Sequence, residues 1–257
     1  MGVLCLPATA IGSFSVRQET RRLDRGVTER ICAIHQPNFF PWLGYFDKIR
    51  QADVLVFLDA VANPKSSRGC WSNRVKIDIQ GRPAWIRCPV RRKSGAQLIV
   101  DVRIDDNQPW REKLLRTLQL NYKRAPEYAR IMPIITRLVE YPTDRLADFN
   151  INAIKTIAAL LGLPCQFVRQ SELVVSGSAT SLLISITKNV GAGIYLAGGG
   201  AAGYQDDELF KVSNIGLKYQ NFAAEPYGDV QRWLPGLSIV DFMMKEGAGD
   251  QAPESGA

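Results

Sequence analysis

Along this chain, short apolar runs alternate with polar breaks that carry Gly or Pro, and the first clear unit spans 31–59, ICAIHQPNFFPWLGYFDKIRQADVLVFLD. Ile31 to Ile34 is an apolar run of strand length. A loop with Pro37 and Pro41 follows, then a helix over Leu43 to Gln51, then a second apolar strand from Val54 to Leu58 that ends in Asp59. Two strands joined through a helix are the unit of a parallel sheet, and a right-handed crossover brings the loop after the first strand to the sheet's carboxyl edge. Ligands of α/β proteins bind at that edge.

The polar stretch VANPKSSRGCWSNRVKI leads into a further strand, and Pro83 to Val90 and Leu98 to Ile104 read as two strands of a hairpin joined by the basic turn RRKSGAQ. Asp105, Asp106 and Asn107 stand where a helix cap is needed before Trp110 to Tyr122. Pro126 breaks that helix, and two more are expected at about 127–140 and 145–161, all with apolar residues at three-to-four spacing. CQFVRQSEL returns to a strand. The last third repeats the rhythm: a helix over 178–190, a strand over 193–196, the turn AGGGAAGYQDDELF, a strand over 216–220 and a closing helix from Ser238. The expected fold is α/β with a mainly parallel, Rossmann-like central sheet, the 83–104 hairpin at its edge and helices 110–161 as an inserted layer.

Composition adds bounds. The chain has 257 residues, 46% hydrophobic and 22% charged, which is enough for a sizeable core, and no apolar run is long enough for a membrane span. Residues 1–28, Arg-rich and without the pattern of a good secretory signal, read as a flexible extension; 246–257, rich in Gly, Ala, Ser, Pro and acids, read as a disordered tail; 29–245 reads as one domain. Five cysteines, at 5, 32, 70, 88 and 165, with no CxxC pair, fit a reducing cytoplasm and argue against a disulfide framework or a thiolate zinc site. The net charge of +7 is compatible with an anionic partner such as phosphate, nucleotide or RNA, although much of the excess lies in two Arg clusters.

Candidate chemistry centres on His35, the only histidine, with Gln36 and Asn38 beside it. A lone His after a strand is more often a loop residue than a catalyst, so the case rests on the whole polar loop packed among aromatics. Lys65, Arg68, Arg74 and Lys76 form a basic segment suited to holding a phosphate or carboxylate, and Trp71 offers a stacking surface. Gly198, Gly199 and Gly200 free the backbone to turn its amides toward a ligand, with Tyr204, Asp206 and Asp207 close behind. That turn is neither a dinucleotide fingerprint nor a P-loop. Asp241 falls early in the closing helix, at its positive end. Because the loops after parallel strands share one edge, His35, Gln36, Asn38, Arg74 and the Gly198–Asp206 turn are expected to line one pocket.

The segments IHQPNFFPWLGYFDKI, DVLVFLD, CWSNRVKI, NQPWREKLLRTLQLNY, SEL, AGGGAAGYQDDELF and PGLSIVDFM, in that order, resemble the WbqC-like family of bacterial proteins over about residues 31–245. The matching positions are Gln36, Pro37, Trp42, Gly44, Asp59, Asn73, Arg74, Trp110, Asn121, Tyr122, Gly198, Gly200, Tyr204, Asp206, Ser238 and Asp241. The glycine turn departs from the family pattern: Ala197 replaces a Ser and Ala201 a Gly. The resemblance implies work on amino sugars or other amines in O-antigen, polysaccharide or natural-product biosynthesis. From the loop chemistry and the resemblance together we expect His35, Gln36 and Asp59 in catalytic roles, and Asn38, Trp42, Lys65, Trp71, Asn73, Arg74, Gly198, Gly199, Gly200, Tyr204, Asp206 and Asp241 around the substrate. A fainter likeness is to nucleotidyltransferase-like ligases, but Trp42 and Tyr45 stand where those carry phosphate-binding histidines.

Three functions remain open at this point. One is an enzyme forming or transferring an amide, an acyl or aminoacyl group onto an amine, with His35 as base and an anionic donor such as a nucleotide-linked sugar, a carboxyl-adenylate or aminoacyl-tRNA. The second is an ATP- or nucleotide-dependent transferase or ligase. The third is a non-catalytic nucleotide-sugar-binding protein.

Overall fold

A computed structural model describes residues 29–64, 70–91, 94–199 and 205–248. The expectations placed on 1–28, Lys65, Arg68, Gly200, Tyr204 and 249–257 lie outside the described residues. Glu246, Gly247 and Ala248, which composition assigned to the tail, finish the last helix, and Ala248 is buried.

The central sheet has five parallel strands: β1 (Ile31–His35), β2 (Val54–Phe57), β5 (Gln166–Arg169), β6 (Ile194–Ala197) and β7 (Gly216–Tyr219), in the order β5-β2-β1-β6-β7. Counted within the sheet this is 3-2-1-4-5, the order of doubly wound nucleotide-binding folds. The Rossmann-like expectation stands.

Strand alternation divides the core in two. Ala33, Leu55, Phe57 and Leu196 face α1 (Leu43–Gln51) and a helical layer, while Cys32, Ile34, Val54, Val56, Tyr195 and Ala197 face α5 (Ala179–Asn189) and α6 (Asp207–Val212). Burial on both sides explains why these strands read as continuous apolar runs and not as alternating ones. The helical layer comprises α2 (Trp110–Tyr122), α3 (Tyr128–Val139), α4 (Leu146–Leu160) and the closing α7 (Ile239–Glu246), as expected from the apolar spacing.

Two local expectations are corrected. The hairpin is made by β3 (Arg74–Ile79) with β4 (Arg82–Arg87), turning at Gln80 and Gly81; of the expected 83–104 pairing a single bridge survives, Val90 with Ile104, and Ile99–Asp101 is a 3-10 turn. A two-residue turn with both residues at positive φ joins its strands more tightly than the long RRKSGAQ segment can. The second concerns α2, whose N-cap is Pro109. Asp106 does not cap it: one carboxylate oxygen accepts from the Trp110 indole at 2.8 Å and from Arg111 at 3.3 Å.

Among the described residues no helix is long and apolar enough to cross a membrane, and no group of three His, Cys, Asp or Glu side chains gathers as a metal site.

Candidate functional site

β1 is where the chain's direction of travel across the sheet reverses: β2 lies on one side of it and β6 on the other. Ligands of doubly wound folds sit in the crevice beyond the carboxyl ends of such a pair. Here the β1–β6 ladder runs from Ile31 with Ile194 to Ala33 with Leu196 and then stops, whereas β1 stays with β2 as far as His35 and Phe57. His35 O accepts from Leu58 N at 2.8 Å on the β2 side, so by alternation Ile34 O faces β6. No strand partner meets it. Lys48 Nζ, reaching up from α1, donates to Ile34 O at 3.1 Å instead.

Lys48 is the residue that sequence reasoning missed. It is only 3% exposed, and no carboxylate pairs with it among the described residues. Burial without a counter-charge holds its amine down at about 8, against an ordinary 10.5. A signal existed: Lys48 follows Gly44 by four residues and Tyr45 by three, so helical spacing put it on the inward face of α1. Across the crevice, a methyl group added to Gly198 would come to 4.0 Å from Nζ, so the glycine turn passes directly over the ammonium.

His35 lies next along β1, half-buried, with its ring edge-on to Tyr45 at 4.6 Å. Its Nδ1 faces Gln36 O at 3.1 Å, an oxygen that also accepts from the Tyr45 hydroxyl at 3.1 Å. A proton on Nδ1 satisfies that contact and leaves Nε2 as an acceptor. Burial, reinforced by the positive field of Lys48, drives the imidazole down to about 3, so His35 is neutral at physiological pH. The pair therefore divides its roles, a neutral imidazole beside an amine that titrates near neutrality.

The loop that carries Gln36 and Asn38 is held from three sides. Asn150 of α4, fully buried, donates to Pro37 O at 2.8 Å and to Ser72 O at 2.7 Å; Phe39 N donates to Trp71 O; the Ser238 hydroxyl donates to Phe40 O at 2.7 Å. The far wall is fixed by Gln220, which follows β7 and donates from Nε2 to Gly44 O and to Asp47 Oδ2, both at 2.8 Å. Gly199 turns against it, with room for a Cβ only 3.2 Å from Gln220 O.

The model of the WbqC-like protein family matches residues 36–252. The chain belongs to the WbqC-like family. A curated relative, the uncharacterized protein Rv1507c of Mycobacterium tuberculosis, is 27% identical over 227 residues, covering 86% of this chain and 95% of that protein. No solved structure matches.

The residues expected at the site fall into separate groups. Gln36 follows His35 at the end of β1, and Gly198 and Gly199 follow β6 across from Lys48. Gly44 is a packing position, because a Cβ there would meet the Trp42 ring at 2.4 Å and Phe222 at 2.9 Å; Trp42, 40% exposed, lies edge-on to Phe222. Asp59 is fully buried, accepting from Arg169 Nε at 2.8 Å, Ser171 N at 2.9 Å and Ser171 Oγ at 2.9 Å. Arg169 continues to Asp148 at 2.7 Å, so Asp59 ties the ends of β2 and β5 to α4. Asp206 caps α6 by accepting from Leu209 N at 3.1 Å.

The hairpin residues form another group. Arg74 donates to Cys70 O and lies 4.2 Å from the centre of the Trp85 ring; Lys76 is 5.2 Å from the same ring, and Trp71 leans on it at 5.3 Å. The stacking partner anticipated for Trp71 is thus Trp85. Asn73 donates to Cys88 O at 3.0 Å. Among the described residues the contacts of Arg74 are with the hairpin and not with His35, Lys48 or Gly198.

Asp241 belongs to a third group. Fully buried, it accepts from Tyr122 at 2.7 Å, Tyr227 at 2.9 Å and Lys245 at 3.1 Å. Burial and the Asp241 charge push both tyrosines well above their ordinary range. Above this knot, Asp78, Asn121, Tyr122, Gly228, Lys245 and Glu246 line a cleft of about 550 Å³ between the hairpin and α7.

Proposed function

We propose that the chain transfers an acyl or aminoacyl group from an activated donor, an acyl-adenylate or aminoacyl-tRNA, to an amine in the crevice between β1 and β6: the amide C–N bond forms as the donor's acyl C–O bond breaks, and AMP or free tRNA leaves with the amine's proton. The observation that carries this reading is the pairing there of a neutral imidazole with an uncompensated ammonium under a glycine turn. Amide formation needs an acceptor for the amine's N–H and positive donors for the oxyanion that develops on the carbonyl. His35 Nε2 offers the acceptor. Lys48 and the backbone at Gly198 and Gly199 supply the donors, and Gln36 stands beside them to orient the acceptor substrate. Held neutral chiefly by burial, His35 serves as a hydrogen-bond acceptor to the amine, and an anionic donor that offsets the Lys48 field restores part of its basicity.

The test incubates the protein with amino-sugar nucleotides and, separately, aminoacyl-tRNA or a carboxylic acid with ATP, with mass spectrometry of the products. An amide product that falls about 10²–10⁴-fold in His35→Ala, at unchanged melting temperature, is the expected result. Full activity in His35→Ala removes the imidazole from the reaction. The 3-2-1-4-5 strand order favours one alternative, a nucleotide-dependent ligase; turnover of labelled ATP that requires the amine would establish it.

A further inference from the structure

We propose that Lys48 anchors an oxyanion, phosphoryl or carboxylate, in the gap where β1 and β6 part, against Gly198 and Gly199. This deepens the function proposed above by giving the donor's anionic end a place, and it moves that place from the basic hairpin to the sheet edge.

The argument is one of unmet demand. An ammonium carries three donors, and the described residues accept from one of them, at Ile34 O. Buried charges in proteins are normally paired, because taking an ion out of water costs several kcal/mol unless a counter-charge or a full set of hydrogen bonds returns it. A lysine whose only duty was to cap a leftover carbonyl could be replaced by a neutral donor at no electrostatic cost. Position supports the same conclusion. Nζ stands at the fork of the sheet, where doubly wound folds place their ligands, and the residue over it is a glycine with no side chain to fill the space. The cations of the hairpin are engaged with Trp85. The amine of Lys48, held near 8 by burial, is restored toward its ordinary range once an anion sits against it. The same anion cancels the field on His35, so occupation of the anchor raises the basicity of the neighbouring imidazole.

The experiment titrates the full chain with inorganic phosphate, pyrophosphate, UMP and acetate at matched ionic strength, by calorimetry, and follows the His35 ring by ¹⁵N NMR as pH is varied. Saturable binding that weakens about 10- to 100-fold in Lys48→Gln, the usual cost of a hydrogen bond to a charged group, is expected, together with a shift of the His35 titration to higher pH when the probe is bound. Whether the phosphate-bearing probes or acetate saturate identifies the source of the oxyanion. Binding that is unchanged in a folded Lys48→Gln or Lys48→Met overturns the proposal, and so does the lack of saturable binding by every probe. Lys48-dependent binding without amide formation would sink only the proposed reaction; amide formation that survives in Lys48→Gln, with no anion bound, would sink the anchor and the donor role given to Lys48, and leave the acyl transfer itself standing.

Discussion

Lys48→Met should raise stability at neutral pH and lose that advantage as the solution becomes alkaline. Methionine keeps the unbranched shape of the buried stem and drops the charge. The gap between 10.5 in the unfolded chain and about 8 in the folded protein corresponds to about 3 kcal/mol of penalty for holding the ammonium inside. Against this, the variant leaves Ile34 O without its donor, a loss of roughly 1–3 kcal/mol. The net gain at pH 7 is therefore about 0–2 kcal/mol. The pH dependence is the sharper test. Below pH 8 both states of the wild type carry the proton and the penalty is full. Between about 8 and 10.5 the unfolded chain holds a proton that the folded one has released, so wild-type stability rises with pH relative to the variant. The remaining titratable groups are common to both proteins and to first order cancel in the difference. Urea unfolding of the two proteins in steps from pH 7 to 10, with equal m values, should show the variant's advantage shrinking and then reversing. A difference independent of pH would mean that Lys48 keeps its ordinary proton affinity in the fold, and the reasoning on its buried charge would fail.

Asn150→Ala should cost about 2–4 kcal/mol in urea unfolding, because it strands the buried carbonyls of Pro37 and Ser72; a loss below 0.5 kcal/mol, on the order of a surface change, would show that the loop is held by other contacts. Gly44→Ala should cost about 1–3 kcal/mol through overpacking against Trp42 and Phe222, visible also as a change in tryptophan fluorescence; a neutral outcome would mean that the two rings have room to move. Asp241→Ala should cost about 3–5 kcal/mol by stranding the Tyr122 and Tyr227 hydroxyls and leaving Lys245 with Asp78 alone, at 3.6 Å, and adding Lys245→Met should recover part of it; strictly additive losses would deny the coupling.

Much of the fold was legible because its signals are local. Strands buried on both faces announce themselves as apolar runs, and Ser238 and Gly162 mark helix ends as their types predict. Pairing is not local. Pro83 to Val90 was read correctly as extended, but the partner was chosen by the next apolar run downstream, when β3, upstream, was the one joined by a two-residue turn. The candidate site was half legible for a similar reason. His35 and Gln36 stand out as polar groups after an apolar strand, whereas Lys48 sits in a helix where lysine is ordinary; its spacing from Gly44 and Tyr45 hints at the inward face, and the fold shows the carbonyl that its amine meets. Asp59 and Asp241 have the type and position of site residues, and their closed hydrogen-bond sets show what sequence cannot: that each is already spoken for by its neighbours.

The fork that makes the crevice also sets the order in which it is built. Its two walls are β1 and β6, and Ile31 meets Ile194 only after nearly all of the described chain between them has been made. Closing so long a loop is entropically slow, while α2, α3 and α4 rest on near-neighbour contacts that form early. During synthesis the β5-β2-β1 half of the sheet and helices α2, α3 and α4 can assemble with the inner edge of β1 bare. The crevice begins to form only as β6 docks, and the same event covers an edge of β1 that would otherwise invite a second chain.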